Sequence, residues 1–244
     1  MVYARIASGY RPGGPNNPTP DPNIPKTFGP DTTTNYEVGA KADLYNGALT
    51  FDGSVYRIDW KDIQLLEYNF AANLAFYANA SGARSQGFEI SSTARPFSWL
   101  SLSGFVSYDD AKLTKDFPPD AANAGIFGLA GDRLPYSQKW SGNLSAEVTI
   151  PTAAGRMYGG SSISFVDKRL SEFGPDENRD VLPAYAKVDA HLGLSRSAWT
   201  FELYVNNVFN RRGVLAAGAG SGAGPSAVYF ITPRSGGLTV TRSF

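Results

Sequence analysis

Cysteine is absent from the 244 residues, and histidine occurs once, at His191. Without thiols there is no disulfide framework, no thiolate metal centre and no cysteine nucleophile. A single histidine removes most metal-ligand sets and most hydrolytic triads, so no metal and no cofactor is expected. An excess of either charge is also missing: 22 Lys+Arg balance 22 Asp+Glu. Nucleic-acid binding usually needs a basic surface, so that class of partner is not expected. Long apolar runs are missing too. No window approaches the ~18–20 apolar residues of a spanning helix. The most apolar stretch, 65–80, is broken by Glu67, Asn69, Asn73 and Asn79. Spanning strands stay open, because their signal is alternation at modest mean hydropathy. The opening Met1–Ile6 lacks a basic region followed by an apolar one, so it does not read as a signal peptide.

What is present is 42% hydrophobic and 13% aromatic residues, a content that argues against disorder. The period is two. Tyr36, Val38, Ala40, Ala42 and Leu44 alternate with Asn35, Glu37, Gly39, Lys41 and Asp43. Such a segment is a strand with one apolar and one polar face. The pattern recurs from Phe88, from Leu100, from Trp140, from Ala184 and from Trp199. Residues 48–60 switch face between Val55 and Tyr56, which predicts a β-bulge or a strand rising past a membrane.

About ten strands are expected, near 2–10, 34–45, 48–60, 84–95, 99–112, 134–150, 156–168, 182–195, 199–210 and 229–244. Several are closer to the ~9–11 residues of a tilted membrane strand than to the ~5–6 of soluble sheets. Connections alternate between short and long. Asn46-Gly47 is a tight hairpin signal, and 96–98, 151–155 and 196–198 are also short. Long Pro/Gly/Asn-rich stretches run over 11–33, 61–83, 113–133, 169–181 and 211–228. Short turns on one side and long loops on the other are the asymmetry of an outer-membrane barrel. Trp60, Trp99, Trp140 and Trp199 all lie near strand ends, where aromatic girdles meet the membrane interfaces. Alternation alone also fits a soluble sandwich or lipocalin-like barrel, with the apolar face inward.

Several strings carry a resemblance. Tyr3–Gly14, Tyr56–Gln64, Ala83–Glu89, Gly131–Pro135, Leu182–Tyr185 and Leu203–Arg212 resemble, in order and spacing, strand and loop segments of TonB-dependent outer-membrane receptors. The chain stops at Phe244, as such barrels commonly do, but Arg242 stands where the family usually carries an aromatic. The resemblance covers essentially the whole chain and matches the C-terminal part of a barrel of roughly 22 strands. It therefore implies an all-β, antiparallel up-and-down transmembrane barrel segment, residues 1–244, read as a C-terminal fragment without plug or signal peptide.

The resemblance further implies TonB-dependent uptake of a scarce ligand across the bacterial outer membrane, without enzymatic activity. An iron–siderophore complex is the commonest ligand of the family; cobalamin or an oligosaccharide are the others. The implied partners are outer-membrane lipid, the metal chelate, the TonB complex acting through the plug, and the barrel-assembly machinery at the C-terminal strand. Loop aromatics Tyr68, Phe70, Phe76 and Tyr77, with Arg84 and Arg133, are the expected ligand contacts, because aromatic faces suit a chelate's apolar part and guanidinium an anionic one. Phe117, Phe127, Phe173 and Arg169 lie in further loops. Polar residues such as Glu37, Lys41, Glu89, Glu147, Lys187, Asp189 and Glu202 are expected to line the lumen. Two alternatives are a small ten-stranded porin and an outer-membrane protease that uses His191 or the Asp109-Asp110 pair.

Overall fold

The computed structural model describes residues 1–69, 73–79, 81–117, 128–171, 173, 180–218 and 227–244. Ten strands form one antiparallel sheet, and each bonds only the strands before and after it. They are β1 (Val2–Arg11), β2 (Asp31–Leu44), β3 (Leu49–Lys61), β4 (Ala83–Phe97), β5 (Leu100–Leu113), β6 (Trp140–Thr152), β7 (Gly155–Val166), β8 (Tyr185–Arg196), β9 (Trp199–Asn206) and β10 (Ser235–Arg242). All ten expected strands are present with shifted ends. The sixth begins only at Trp140, and the stretch from 229 divides between β10 and a short ribbon. That ribbon pairs Val214–Gly218 with Ala227–Phe230, inside the long connection between β9 and β10.

Register fixes the faces. Arg5 pairs with Glu37, Lys41 with Asp52, Ser54 with Glu89, and His191 with Tyr204. Paired residues point the same way, so the polar set of each strand lines one continuous wall. The opposite face carries the apolar set and is uncovered. Ile6 is 76% exposed and Leu144 63%, with Val38, Val55, Leu192, Leu203 and Leu238 alike. An apolar sheet face of this extent marks a surface that meets another apolar phase. Among the described residues no second layer packs against this face.

Residues 48–60 carry no bulge. The β2–β3 ladder runs unbroken from Thr32↔Lys61 to Leu44↔Leu49. The face switch arises because Tyr56, Ile58 and Trp60 sit on the polar-wall side, where Trp60 packs under the long connections. A register shift occurs instead between Ala94 and Phe97 in the β4–β5 ladder. Pro96 lies there, and its missing N–H cannot serve the ladder.

The short turns join β2–β3, β4–β5, β6–β7 and β8–β9 at one end. In the first, Tyr45, Asn46 and Gly47 all have positive φ, at 55°, 55° and 84°, which suits the Asn-Gly signal. The five long connections stand at the other end. A single sheet with one bare face cannot bury a core between layers, so the core lies under these connections. Ile63, Ala83, Leu113 and Phe117 form it, with Trp60, Leu65, Leu134 and Phe173 packed against it.

Candidate functional site

The connections at this end are clamped to one another by buried polar groups. Asp31 opens β2 and its side chain is 3% exposed. It accepts from the Arg11 guanidinium, from the Trp60 indole Nε1 at 3.1 Å and from the Gln64 backbone N–H at 3.3 Å. Burial by itself pushes the Asp31 carboxyl upward. The donors from Arg11, Gln64 and Trp60 outweigh it and hold the group below the usual carboxylate range. Gln64 Nε2 donates to the Pro12 carbonyl at 3.0 Å and the Gly29 carbonyl at 2.9 Å. Asn79 binds Gly29 on both sides of its amide, accepting at 2.6 Å and donating at 3.1 Å. Asn16 exchanges bonds with the Tyr77 backbone at 2.7 Å each way. The connection after β1 is thus fastened to the one after β3, and the rings of Phe28 and Tyr77 meet at 5.0 Å.

A second clamp gathers the later connections. Arg169 is 8% exposed and donates to the carbonyls of Val214 at 2.5 Å and Leu215 at 3.4 Å. Tyr136 donates its hydroxyl to the Ala217 carbonyl at 2.8 Å. Asn207, 1% exposed at φ 52°, ends β9. Its N–H donates to Asp189 at 2.7 Å, and its amide nitrogen to Arg211 and Thr232 carbonyls at 2.9 and 3.0 Å. Asparagine tolerates this left-handed backbone and satisfies three groups at once. That is a physical reason for the Asn206–Arg212 string.

Below the clamps the polar wall is laced by short contacts. The Tyr3 hydroxyl donates to Glu37 at 2.7 Å, and Tyr158 to Glu202 at 3.0 Å. Lys41 pairs with Asp52 at 2.6 Å and Lys187 with Asp189 at 2.8 Å. His191 Nε2 lies 3.1 Å from Glu147. Gly160 stands between them, and a Cβ there would press into the Glu147 carboxylate.

The expected ligand contacts divide. Phe76 is 3% exposed, so it packs the hairpin Gln64–Asn69/Leu74–Asn79 and does not present a face. Tyr77 is 41% exposed beside Phe28. The Tyr68 side chain and Phe70 lie outside the described residues, as does Phe127. Arg84 stands away from the polar wall. It pairs with Asp59 in the ladder and stands on the apolar-face side, where its Nε donates to Asp59 at 2.8 Å. Arg133 donates through Nη1 to the Lys168 carbonyl at 3.4 Å.

Among the tryptophans, Trp60 stands apart from the other three. Its register with Thr33 turns the indole to the polar wall, onto Asp31 and 5.4 Å from the Arg11 guanidinium carbon. Proximity to a strand end does not fix the face; parity does. Trp99, Trp140 and Trp199 are 45%, 41% and 43% exposed. Trp99 stacks on Phe97 at 5.2 Å, and Trp199 on Phe201 at 6.3 Å. Trp140 meets Phe88 at 5.8 Å and Tyr108 at 4.9 Å. Phe244 is fully exposed beyond β10. The adjacent Asp109 and Asp110 point to opposite faces, since Asp109 accepts from Ser85 on the wall and Asp110 pairs with Lys112 outside. No hydrolytic pair forms from them, and His191 is occupied with Glu147.

A one-layer antiparallel wall, apolar on one face and polar on the other, with clamped connections at one end, has the architecture of part of a β-barrel wall. The family model for the TonB dependent receptor-like β-barrel matches residues 1–208, and the chain belongs to that family. It is 29% identical over 216 residues to the metal-pseudopaline receptor CntO of Pseudomonas aeruginosa, covering 86% of this chain and 27% of that protein. It is 25% identical over 215 residues to the pesticin receptor of Yersinia pestis, covering 86% and 29%. Among solved structures, the ferric yersiniabactin uptake receptor FyuA of Yersinia pestis superposes with a TM-score of 0.78 at 22% identity, over 100% of this chain and 35% of that one. The chain thus spans less than a third of the length of the curated relatives it matches.

Proposed function

We propose that residues 1–244 are the C-terminal portion of the barrel wall of an outer-membrane receptor that takes up a metal chelate, foremost an iron–siderophore complex, driven through TonB. The observation that carries this reading is the division of one sheet into a bare apolar face and a charged inner wall. The first suits lipid and the second a water-filled or plugged lumen. The names of relatives, a metal-pseudopaline receptor and a ferric yersiniabactin uptake receptor, favour a chelated metal as cargo. On this reading the long connections face outward from the cell and capture the ligand, with Tyr68, Phe70, Tyr77 and Arg133 as its contacts. Trp99 and Trp199 mark the periplasmic interface, and Trp140 the outer one. The lumen wall performs no covalent chemistry; the protein is a transporter and not an enzyme.

The test is uptake. A strain making the intact gene product and an isogenic deletion strain receive radio-iron as catecholate, hydroxamate and carboxylate chelates, with and without functional TonB. Uptake of at least one chelate should require both the gene and TonB. Equal uptake of every chelate by the two strains would overturn the reading.

A further inference from the structure

The outer face of β3, β4 and β5 changes character toward the loop end. Val55, Phe88 and Tyr108 are neighbours in register, and Trp140 pairs with Tyr108, so four large side chains form a band. Two residues higher, about 6–7 Å along the strands, the same face turns ionic. Arg57, Gln86 and Asp110 make one row, and Asp59, Arg84 and Lys112 the next. Asp59 is shared by Arg57 at 3.0 Å and Arg84 at 2.8 Å, while Asp110 serves Lys112 at 3.0 Å. Three cations therefore meet two carboxylates. Asp59 is held between the two guanidiniums of Arg57 and Arg84, and Lys112 shares only Asp110. Lys61 adds a further charge one step above.

Below the band the outer face is a shallow apolar depression of about 840 Å³, lined by Ile90, Leu102, Leu144, Ile163 and Val188. Cations, aromatic band and apolar trough follow one another down the same strands. A membrane lipid with an acidic head presents the same sequence: charge outermost, then the interface, then acyl chains.

We propose that this stripe is a binding site for a phosphorylated lipid of the surrounding leaflet, with Arg84 and Lys112 on the phosphate and the trough on an acyl chain. Arg84 donates to Asp59 only through Nε, which leaves its terminal nitrogens directed at solvent among the described residues. Guanidinium and ammonium groups that flank an interfacial aromatic band suit a phosphate at headgroup level. The proposal rests on the reading of this face as membrane-facing.

The experiment uses the intact gene product, extracted from outer membranes in mild detergent, freed of lipid and mixed with bisphosphorylated lipid A or the same lipid A after chemical dephosphorylation. Bound lipid is counted by native mass spectrometry. The protein should retain the phosphorylated lipid and not the dephosphorylated one. Inorganic phosphate at equal concentration should not displace it. Arg84→Gln with Lys112→Gln should weaken retention on the order of twentyfold, at about fivefold per cation. Lys112→Arg should keep retention, which separates a lost charge from a misfolded variant. Equal retention of both lipids, equal retention by the double variant, or displacement by phosphate alone would overturn the proposal. If the protein fractionates with the outer membrane and retains no lipid, the proposal fails while the transport reading stands. Recovery outside the outer membrane would sink both.

Discussion

Replacing Asp31 with alanine should loosen one end of the molecule and leave the sheet intact. The carboxylate is the common acceptor for Arg11, the Trp60 indole and the Gln64 N–H. Arg11 is 52% exposed and can turn to water when its partner is lost. The indole and the backbone N–H are partly buried, and each unsatisfied donor costs about 1–3 kcal/mol. The discounted sum is about 2–4 kcal/mol, charged to the docking of connections 12–30 and 62–82 and not to global unfolding. That corresponds to a rise of about thirtyfold to a thousandfold in local opening. Hydrogen exchange by mass spectrometry on peptides covering Gly29, Gln64 and Asn79 reads this directly. The connection between β9 and β10, held by Asn207, is the internal reference and should be unchanged. Unchanged exchange at Gln64 would refute the reasoning, as would an equal gain in both connections. The pH response follows in sign. The folded carboxyl is held low, so its contribution is complete above the unfolded aspartate value of about 3.9 and is lost only as pH falls through the lower folded value. Asp31→Asn should be loosened at neutral pH and show no further transition in that acid window.

Asn207→Ala removes a buried amide and a residue suited to positive φ, and should cost about 2–4 kcal/mol of local stability, seen as faster proteolysis within 208–234. Asn207→Gly, which restores the backbone freedom alone, should recover only part of it. Leu144→Arg, on the bare face, should lower stability in lipid by about 2–4 kcal/mol, read by urea unfolding in bilayers, and change little in solubility if the face were instead wet. Gly160→Val should force Glu147 from His191 and cost about 1–3 kcal/mol by overpacking, measured by the temperature at which the folded band is lost on unboiled gels.

The strands were legible because each one separates two environments. Alternation from Tyr36 to Leu44 states which residues share a face, and the structure keeps every one of those faces. The turn at Asn46-Gly47 was legible through its backbone demand. Partners across the sheet were not. Glu147 meets His191 only because Glu147 pairs with Gly160 and Gly160 with His191, a register that no local pattern encodes. The faces on which Trp60 and Arg84 stand were hidden for a related reason. Nearness to a loop was readable, but the side on which each stands depends on a parity carried up from the middle of the strand. The clamps escaped because their residues are ordinary amides and carboxylates. Gln64, Asn79 and Asn16 look like solvated loop polar groups until the fold sets carbonyls of a distant connection beside them.

The neighbour-only order of the ten strands has a kinetic consequence. No strand waits for one made much later, and no connection has to be threaded past another. The wall can therefore grow by adding one hairpin at a time, each new strand templated on the last exposed edge. The cost of closing each long connection rises only slowly with its length. Insertions among the clamped connections thus leave the zippering of the wall nearly unchanged, and the end that carries them is free to vary on a scaffold that assembles the same way each time.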